Sequence, residues 1–200
     1  ILIDAERQVH RRQVSSKPHR PCIFELVYFA RPDSRLDQIS VYKTRALFGR
    51  ALARQWKDSK APTPDVVMPI PDSSRDAAMT MAAGLGIPYV EGLVKNRYIG
   101  RTFIMPSQSS RQTSVRRKLN TIPAEFAGKD VLLVDDSIVR GNTARRIVRM
   151  AREAGARKVY LAVTSPPLVS PCPYGIDMAN KTEFVAAGNT PNEGAAPHEA

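Results

Sequence analysis

Residues 131–143 read VLLVDDSIVRGNT, and this run restricts the chain to few architectures. Four apolar residues in succession, without the alternation of a half-exposed strand, predict a strand buried on both faces, as in a parallel sheet covered by helices. The strand runs directly into Asp135 and Asp136, then a loop containing Gly141, then Thr143 at the opening of a helix. Ligands of open parallel sheets bind at the carboxyl ends of strands, which is where the two carboxylates are expected. Gly141 lets backbone approach a ligand closely and Thr143 is expected to cap the helix. The loop amides and the positive helix end then form an anion site, extended by the Ser137 and Thr143 hydroxyls. Carboxylates beside such a cradle repel a phosphate unless they face sugar hydroxyls, from which each accepts a hydrogen bond of roughly 1.5 to 3 kcal/mol. An isolated acid pair often only ends a strand, and an isolated Thr often only caps a helix; strand, acid pair, glycine loop and cap together point to a ribose beside a phosphate.

Elsewhere apolar runs alternate with helical patterns, which is an α/β signature. Residues 22–29 (CIFELVYF) predict a strand from their β-branched and aromatic content. Behind a Ser40 N-cap, residues 41–57 place Val41, Ala46, Leu47, Leu52, Ala53 and Trp56 on one repeating face. A short buried strand is expected at 66–70, a helix from about 74 ended by Gly84 and Gly86, and a strand near 89–94. A helix follows from about 143 to 154, closed by Gly155, and then a strand at 159–163. Residues 1–21 read as a tail or the remnant of a connection and 189–200 as a disordered tail, leaving residues 22–188 as one domain. His10, His19 and His198 all lie in the flanks, which removes histidine-dependent triads and histidine-rich metal sites from the central region.

The chain carries 30 Lys and Arg against 19 Asp and Glu, a net charge of +11. Seven of the cations (Lys95, Arg97, Arg101, Arg111, Arg116, Arg117 and Lys118) fall in one stretch that contains no acid. Such a balance implies a polyanionic partner: nucleic acid, acidic lipid or a multiply phosphorylated small molecule. Residues 96–120 are too long, polar and cationic for a core element, and loops of that length are lids or disordered segments. A nucleic-acid reader is expected to interleave aromatic residues for stacking, but this stretch has only Tyr98 and Phe103. Neither nucleic acid nor membrane is therefore expected as a partner, since no window approaches ~20 apolar residues and no secretory signal is visible. Two cysteines, Cys22 and Cys172, cannot build a disulfide scaffold and point to the cytoplasm. Residue 1 is Ile, so the chain is expected to begin within a longer one or to have lost its start.

With these residues set out, residues 131–143 resemble the phosphoribosyl pyrophosphate (PRPP) binding signature of type I phosphoribosyltransferases. Five segments in order, CIFELVYFARPDS, VVMPIPDSS, VKNRYIGRTFIMP, SVRRKLN and VLLVDDSIVRGNT, resemble the phosphoribosyltransferase half of the glutamine PRPP amidotransferases over about residues 20–188. The resemblance implies a type I phosphoribosyltransferase-like α/β fold, a central parallel sheet flanked by helices, with a flexible basic loop over the site. It implies that Asp135 and Asp136 are the ribose- and metal-associated pair, and that Ser137, Ile138, Val139, Arg140, Gly141, Asn142 and Thr143 form the 5′-phosphate loop. Ser73, after the Pro-x-Pro-acid turn, is implied to hold pyrophosphate and, with Asp135 and Asp136, Mg²⁺; the residues alone equally allow Ser73 or Ser74 to cap the following helix. Lys95, Tyr98 and Lys118 match catalytic positions in and around the flexible loop, whose closure places cations on departing pyrophosphate and excludes water. Residues 31–34 (RPDS) belong to the resemblance without a chemical role of their own.

The reaction so implied is displacement of pyrophosphate from C1 of PRPP by ammonia, giving 5-phosphoribosylamine, the first step of de novo purine biosynthesis. Family members take the ammonia from glutamine in an amino-terminal glutaminase domain with a cysteine nucleophile, which this chain lacks, and they assemble as homo-oligomers. Some carry a [4Fe-4S] cluster, and Cys22 and Cys172 match two of its four ligand positions; otherwise each is a small buried hydrophobe. Two other classes stay in view: a PRPP-binding regulator of the same fold without turnover, and a basic nucleic-acid-binding module.

Overall fold

A computed structural model describes residues 1–96, 119–174 and 184–187. Strands β1 (Leu2–Ile3) and β2 (Val9–His10) make a small surface hairpin. A second hairpin, β3 (Arg35–Leu36) with β4 (Ile39–Ser40), leads into helix α1 (Val41–Asp58). The order continues with β5 (Val66–Pro69), α2 (Arg75–Leu85), β6 (Leu93–Lys95), β7 (Leu119–Thr121), α3 (Pro123–Phe126), β8 (Asp130–Asp135), α4 (Asn142–Glu153) and β9 (Lys158–Val163). The main sheet is parallel in the order β5-β8-β9, with Val66 opposite Val131 and Asp130 opposite Lys158. β6 and β7 pair antiparallel in a separate ribbon.

The period of two along β8 divides the core. Val131 and Leu133 join Val66 and Met68 in one cluster, which Ile147 and Ala151 of α4 close. Leu132 and Val134 join Val67 in the other, closed by Ala53 of α1 and by Ala77, Ala78, Met81 and Ala82 of α2. All of β8 is buried, which is why its sequence lacks a polar alternation. Each leucine buried there stabilises the fold by roughly 1.5 to 3 kcal/mol. At the opposite end of the sheet from the acid pair, Asp65 Oδ2 accepts the Asp130 amide at 2.7 Å, and Arg157 Nε donates to Asp130 Oδ1 at 2.6 Å. The guanidinium holds the Asp130 carboxyl below the usual carboxylate range.

Ser40 caps α1 as the sequence predicts, its Oγ accepting the Lys43 amide at 3.3 Å. Residues 31–34 find their purpose at the same helix end. Ser34 O accepts the Val41 amide and Pro32 O the Tyr42 amide, each at 3.1 Å, while Arg31 and Asp33 pair at 2.8 Å. The first amides of α1 are thus all taken by protein.

Residues 22–29 are not a strand. They wind into a π-helical turn over Glu25–Phe29, and the two buried side chains, Phe24 and Val27, are three apart, which is a helical spacing and not a strand's. The guanidinium of Arg45, only 4% exposed, holds the turn by donating to Leu26 O at 3.0 Å and Ala30 O at 2.8 Å. On α1, Leu47 points outward, and Arg45 and Gly49 lie inward beside Val41, Ala46 and Ala53. The strand expected at 89–94 is displaced to Leu93–Lys95; Tyr89 keeps only a single parallel bridge to Val67. Residues 1–21 contribute nothing to the core.

Gly49 sets the α1–α2 distance, because a Cβ there would meet Ala77 O and Thr80 Oγ1, both at 2.1 Å. Thr80 Oγ1 donates to Ala46 O at 2.9 Å across the same contact. Gly49→Ala is expected to lower unfolding free energy by about 2–3 kcal/mol, read as a lower urea midpoint.

Candidate active site

Two connections after parallel strands build the site. The first follows β5, turning through residues 70–74 with a cis bond between Pro71 and Asp72 and opening into α2. The second follows β8, passing from Asp135 and Asp136 through residues 137–141 into α4. Ile70 donates its amide to Val134 O at 2.8 Å, which fixes the two exits side by side.

Asp135 and Asp136 are each 8% exposed. Asp136 accepts from the hydroxyls of Ser73 and, at 2.7 Å, Ser137; Asp135 Oδ1 accepts the Asp136 amide at 2.9 Å. The main chain beneath is pinned to the end of β9: Thr164 donates its amide to Asp135 O at 3.1 Å, and Ser165 to Asp136 O at 2.9 Å. Burial first, and then the Asp136 charge, push the Asp135 carboxyl up to about 7, against the opposing hydrogen bond from the Asp136 amide.

Helix α4 begins at Gly141, whose φ of 72° is left-handed, so Gly141 and not Thr143 is the N-cap. Thr143 sits in the first turn because glycine there can reverse the chain without Cβ strain. No side chain caps the helix, and among the described residues nothing accepts the amides of Asn142, Thr143 and Ala144. Val185 covers the loop from behind, its amide donating to Val139 O at 3.0 Å. α2 opens in a similar way. Neither Ser73 nor Ser74 caps it with a side chain, and Ser74, 1% exposed, keeps a buried Oγ with no partner. Among the described residues the Asp76 and Ala77 amides are untaken, in contrast to the closed start of α1. Two open helix ends therefore flank a pair of carboxylates, an anion-hydroxyl-anion pattern.

Lys95, on β6, reaches this place, with Nζ donating to Asp72 Oδ2 at 2.6 Å. Tyr98 and Lys118 lie outside the described residues, as do residues 97–118 of the basic run and 188–200 of the tail. Cys22 and Cys172 are half-buried free thiols that line one crevice of about 240 Å³ with Arg20, Glu25, Phe29 and Tyr174. Asp72, Arg75, Glu91 and Arg45 also surround the site, and the sequence singled out none of them. Asp72 was visible as the acid of its turn; Arg75 and Glu91, paired at 3.1 Å across 16 positions, leave no local signal.

The side chains that meet Asp136 offer only hydroxyl oxygens, and with the carboxylates they make an oxygen set that suits Mg²⁺, an ion usually held by one or two carboxylates together with substrate phosphates. Among the described residues no three His, Cys, Asp or Glu side chains converge as a ready-made metal cage. Two thiols are half of what a four-cysteine cluster needs, so this chain by itself does not fit one.

Parallel sheet, helices on both faces and the paired exits define the type I phosphoribosyltransferase fold. A family model described as phosphoribosyl transferase domain matches residues 37–167, and the chain belongs to that family. It is 54% identical over 198 residues to "Amidophosphoribosyltransferase" of Escherichia coli (strain K12), covering 96% of this chain and 39% of that protein. The protein of the same name from Methanocaldococcus jannaschii is also 54% identical, over 172 residues that make up 86% of this chain and 36% of that protein. The structure of glutamine phosphoribosylpyrophosphate amidotransferase from B. subtilis complexed with ADP and GMP matches with a TM-score of 0.74 and 46% identity, covering 94% of this chain and 40% of that one. The chain thus spans about two fifths of the relatives it matches. No helix among the described residues is long and apolar enough to cross a membrane.

Asp135 also sets a pH dependence. Its folded value of about 7 lies above the ordinary 3.8, so between those limits the unfolded chain loses a proton that the folded chain keeps, and stability falls as pH rises through that window. In ligand-free, chelated buffer Asp135→Asn is expected to stabilise the protein by about 2–4 kcal/mol at pH 8 and by less than about 1 kcal/mol at pH 4, measured by urea unfolding.

Proposed function

We propose that this chain binds Mg²⁺-PRPP and, within the polypeptide it belongs to, transfers an amino group from ammonia to C1 of PRPP with release of pyrophosphate. The observation that carries this reading is the acid pair lying between two open helix ends. PRPP has the complementary order: a 5′-phosphate, a ribose diol and a pyrophosphate. On this reading residues 137–143 take the 5′-phosphate, Asp135 and Asp136 accept from the ribose hydroxyls, and Ser73 with the start of α2 takes the pyrophosphate. A ribose hydroxyl would replace the Ser73 hydroxyl on Asp136. Names of relatives at 54% identity support the amidotransferase assignment.

Ammonia needs little activation. Its lone pair forms the C1–N bond as the C1–O bond breaks, pyrophosphate leaves with the electron pair, and the surplus ammonium proton passes to solvent. The demand falls on leaving-group charge and on orientation. Ser73, Asp135 and Asp136 would hold Mg²⁺, which supplies charge neutralisation on the pyrophosphate when bound. Lys95 meets that charge from β6, and we assign Tyr98 and Lys118 to the same task from the basic segment. Glutamine as ammonia source requires a glutaminase domain beyond this chain. We take residues 22–188 as the phosphoribosyltransferase domain, acting in a cytoplasmic homo-oligomer. A [4Fe-4S] cluster in the longer protein would draw on Cys22 and Cys172 and two further ligands from outside the chain; iron and sulfide analysis after anaerobic purification is expected to find about four of each per subunit, and their absence overturns that part.

Titration of Mg²⁺-PRPP tests the central reading. Asp135→Ala and Asp136→Ala are each expected to weaken binding about 10- to 150-fold, the loss of hydrogen bonds to a charged acceptor. Unchanged affinity in both removes the assignment. Ammonia-dependent pyrophosphate release separates an enzyme from a PRPP-binding regulator, because a regulator binds without release.

A further inference from the structure

Five side chains beside the turn after β5 form a row of hydrogen bonds and ion pairs, and of these the mechanism above uses only Lys95. Lys95 Nζ donates to Asp72 Oδ2 at 2.6 Å, and Arg75 Nη1 lies 3.5 Å from Asp72 Oδ1. On the far side Arg75 Nη2 donates to Glu91 Oε2 at 3.1 Å, and Tyr89 donates its hydroxyl to Glu91 Oε1 at 2.9 Å. Each carboxylate is therefore shared between two donors. Burial first, and then the Glu91 carboxylate, push the Tyr89 hydroxyl up, which keeps it a donor.

The row joins two cations to two anions at the mouth of a site whose ligand is strongly anionic. Asp72 directly precedes Ser73, so its negative charge stands where a pyrophosphate has to arrive, and it neutralises the Lys95 ammonium. A phosphate approaching Lys95 competes with Asp72 for it. Were Asp72 then left alone, its charge would repel the same phosphate. Arg75 is placed to prevent this. Its guanidinium offers a planar fork of donors and already lies on the other Asp72 oxygen. Glu91 anchors it from behind.

We propose that Arg75 is a positioning residue that frees Lys95 for pyrophosphate, taking over the Asp72 carboxylate as Lys95 leaves it, with Glu91 and Tyr89 holding the guanidinium in place for the exchange. The inference rests on the pyrophosphate assignment of this turn. Lys95 thereby has two stations, Asp72 in the free protein and phosphate in the complex, and Asp72 acts as a brake on ligand binding. Every member of the row is partly exposed, so the effects are those of surface ion pairs, modest in size but definite in sign.

The test is calorimetric titration of Mg²⁺-pyrophosphate onto the full-length protein at low ionic strength. Asp72→Asn is expected to tighten binding roughly 1.5- to 5-fold by releasing Lys95. Arg75→Met is expected to weaken it by a similar factor, because Asp72 then holds Lys95 undivided, and Arg75→Lys to recover part of the loss. In the Asp72→Asn background Arg75→Met should cost nothing, since no carboxylate remains to be managed. Each effect should shrink at about 0.5 M salt. Two results overturn the proposal: weaker or unchanged binding in Asp72→Asn, or an Arg75→Met loss that persists in the Asp72→Asn background, which would mean direct phosphate contact or a structural role. If Arg75→Met fails to fold, the sign of the Asp72→Asn change decides. Failure of the underlying site looks different: the unsubstituted protein would not bind Mg²⁺-pyrophosphate, or Ser73→Ala would leave its affinity unchanged.

Discussion

Strand β8 can lie only where helices cover both its faces, because Val131, Leu132, Leu133 and Val134 alternate between two apolar clusters and are all fully buried. α4 supplies one cover and α1 with α2 the other, so β8 occupies the middle of the sheet. The first positions with carboxylates are then Asp135 and Asp136, at the end where the neighbouring strand β5 also finishes. That shared exit brings Ser73 onto Asp136 across 63 residues of sequence. Had β8 been an edge strand, its carboxylates would face solvent, and neither their burial nor their closeness to α2 would follow.

Burial makes the acid pair electrostatically demanding. Burial first, and then the Asp136 charge beside it, raise the cost of ionising Asp135, whose carboxyl is pushed up to about 7. The surroundings compensate with partial charges: hydroxyls from Ser73 and Ser137, and the positive ends of α2 and α4. A formal cation also lies deeper. Arg45 is buried, and the charges of Asp76 and Asp136 oppose the lowering that burial imposes on it. Its guanidinium hydrogen bonds go to Leu26 O and Ala30 O, so one buried charge holds the segment that follows Cys22 while the Asp136 charge acts on it from the site.

Much of this was legible in the residues. Ser40 predicts the start of α1, the run at 131–134 predicts a doubly covered strand, and Gly86 and Gly155 mark the ends of α2 and α4. Failures came where composition and period disagree. Residues 22–29 have strand-like composition, but Phe24 and Val27 are buried at helical spacing, with Arg45 rather than a neighbouring strand satisfying the carbonyls. Leu47 was expected inward by hydrophobicity, whereas the close α1–α2 approach admits Gly49 and excludes a large side chain. Thr143 fits the chemistry of a cap, yet the reversal out of β8 needs a left-handed residue, and that is Gly141.

Sequence by itself determined the chemistry that each segment carries: an acid pair after a buried strand, a glycine loop opening a helix, a serine after a Pro-x-Pro-acid turn. Those are local properties, set by side-chain type and by periods of two and 3.6 residues. Tertiary structure alone decided which helix ends stay open, that Asp135 keeps its proton while Ser73 and Ser137 share Asp136, and that Lys95 rests on Asp72 with Arg75 and Glu91 behind it. Each of these depends on groups far apart along the chain meeting where water is scarce, and no periodicity within a segment records whom it will meet.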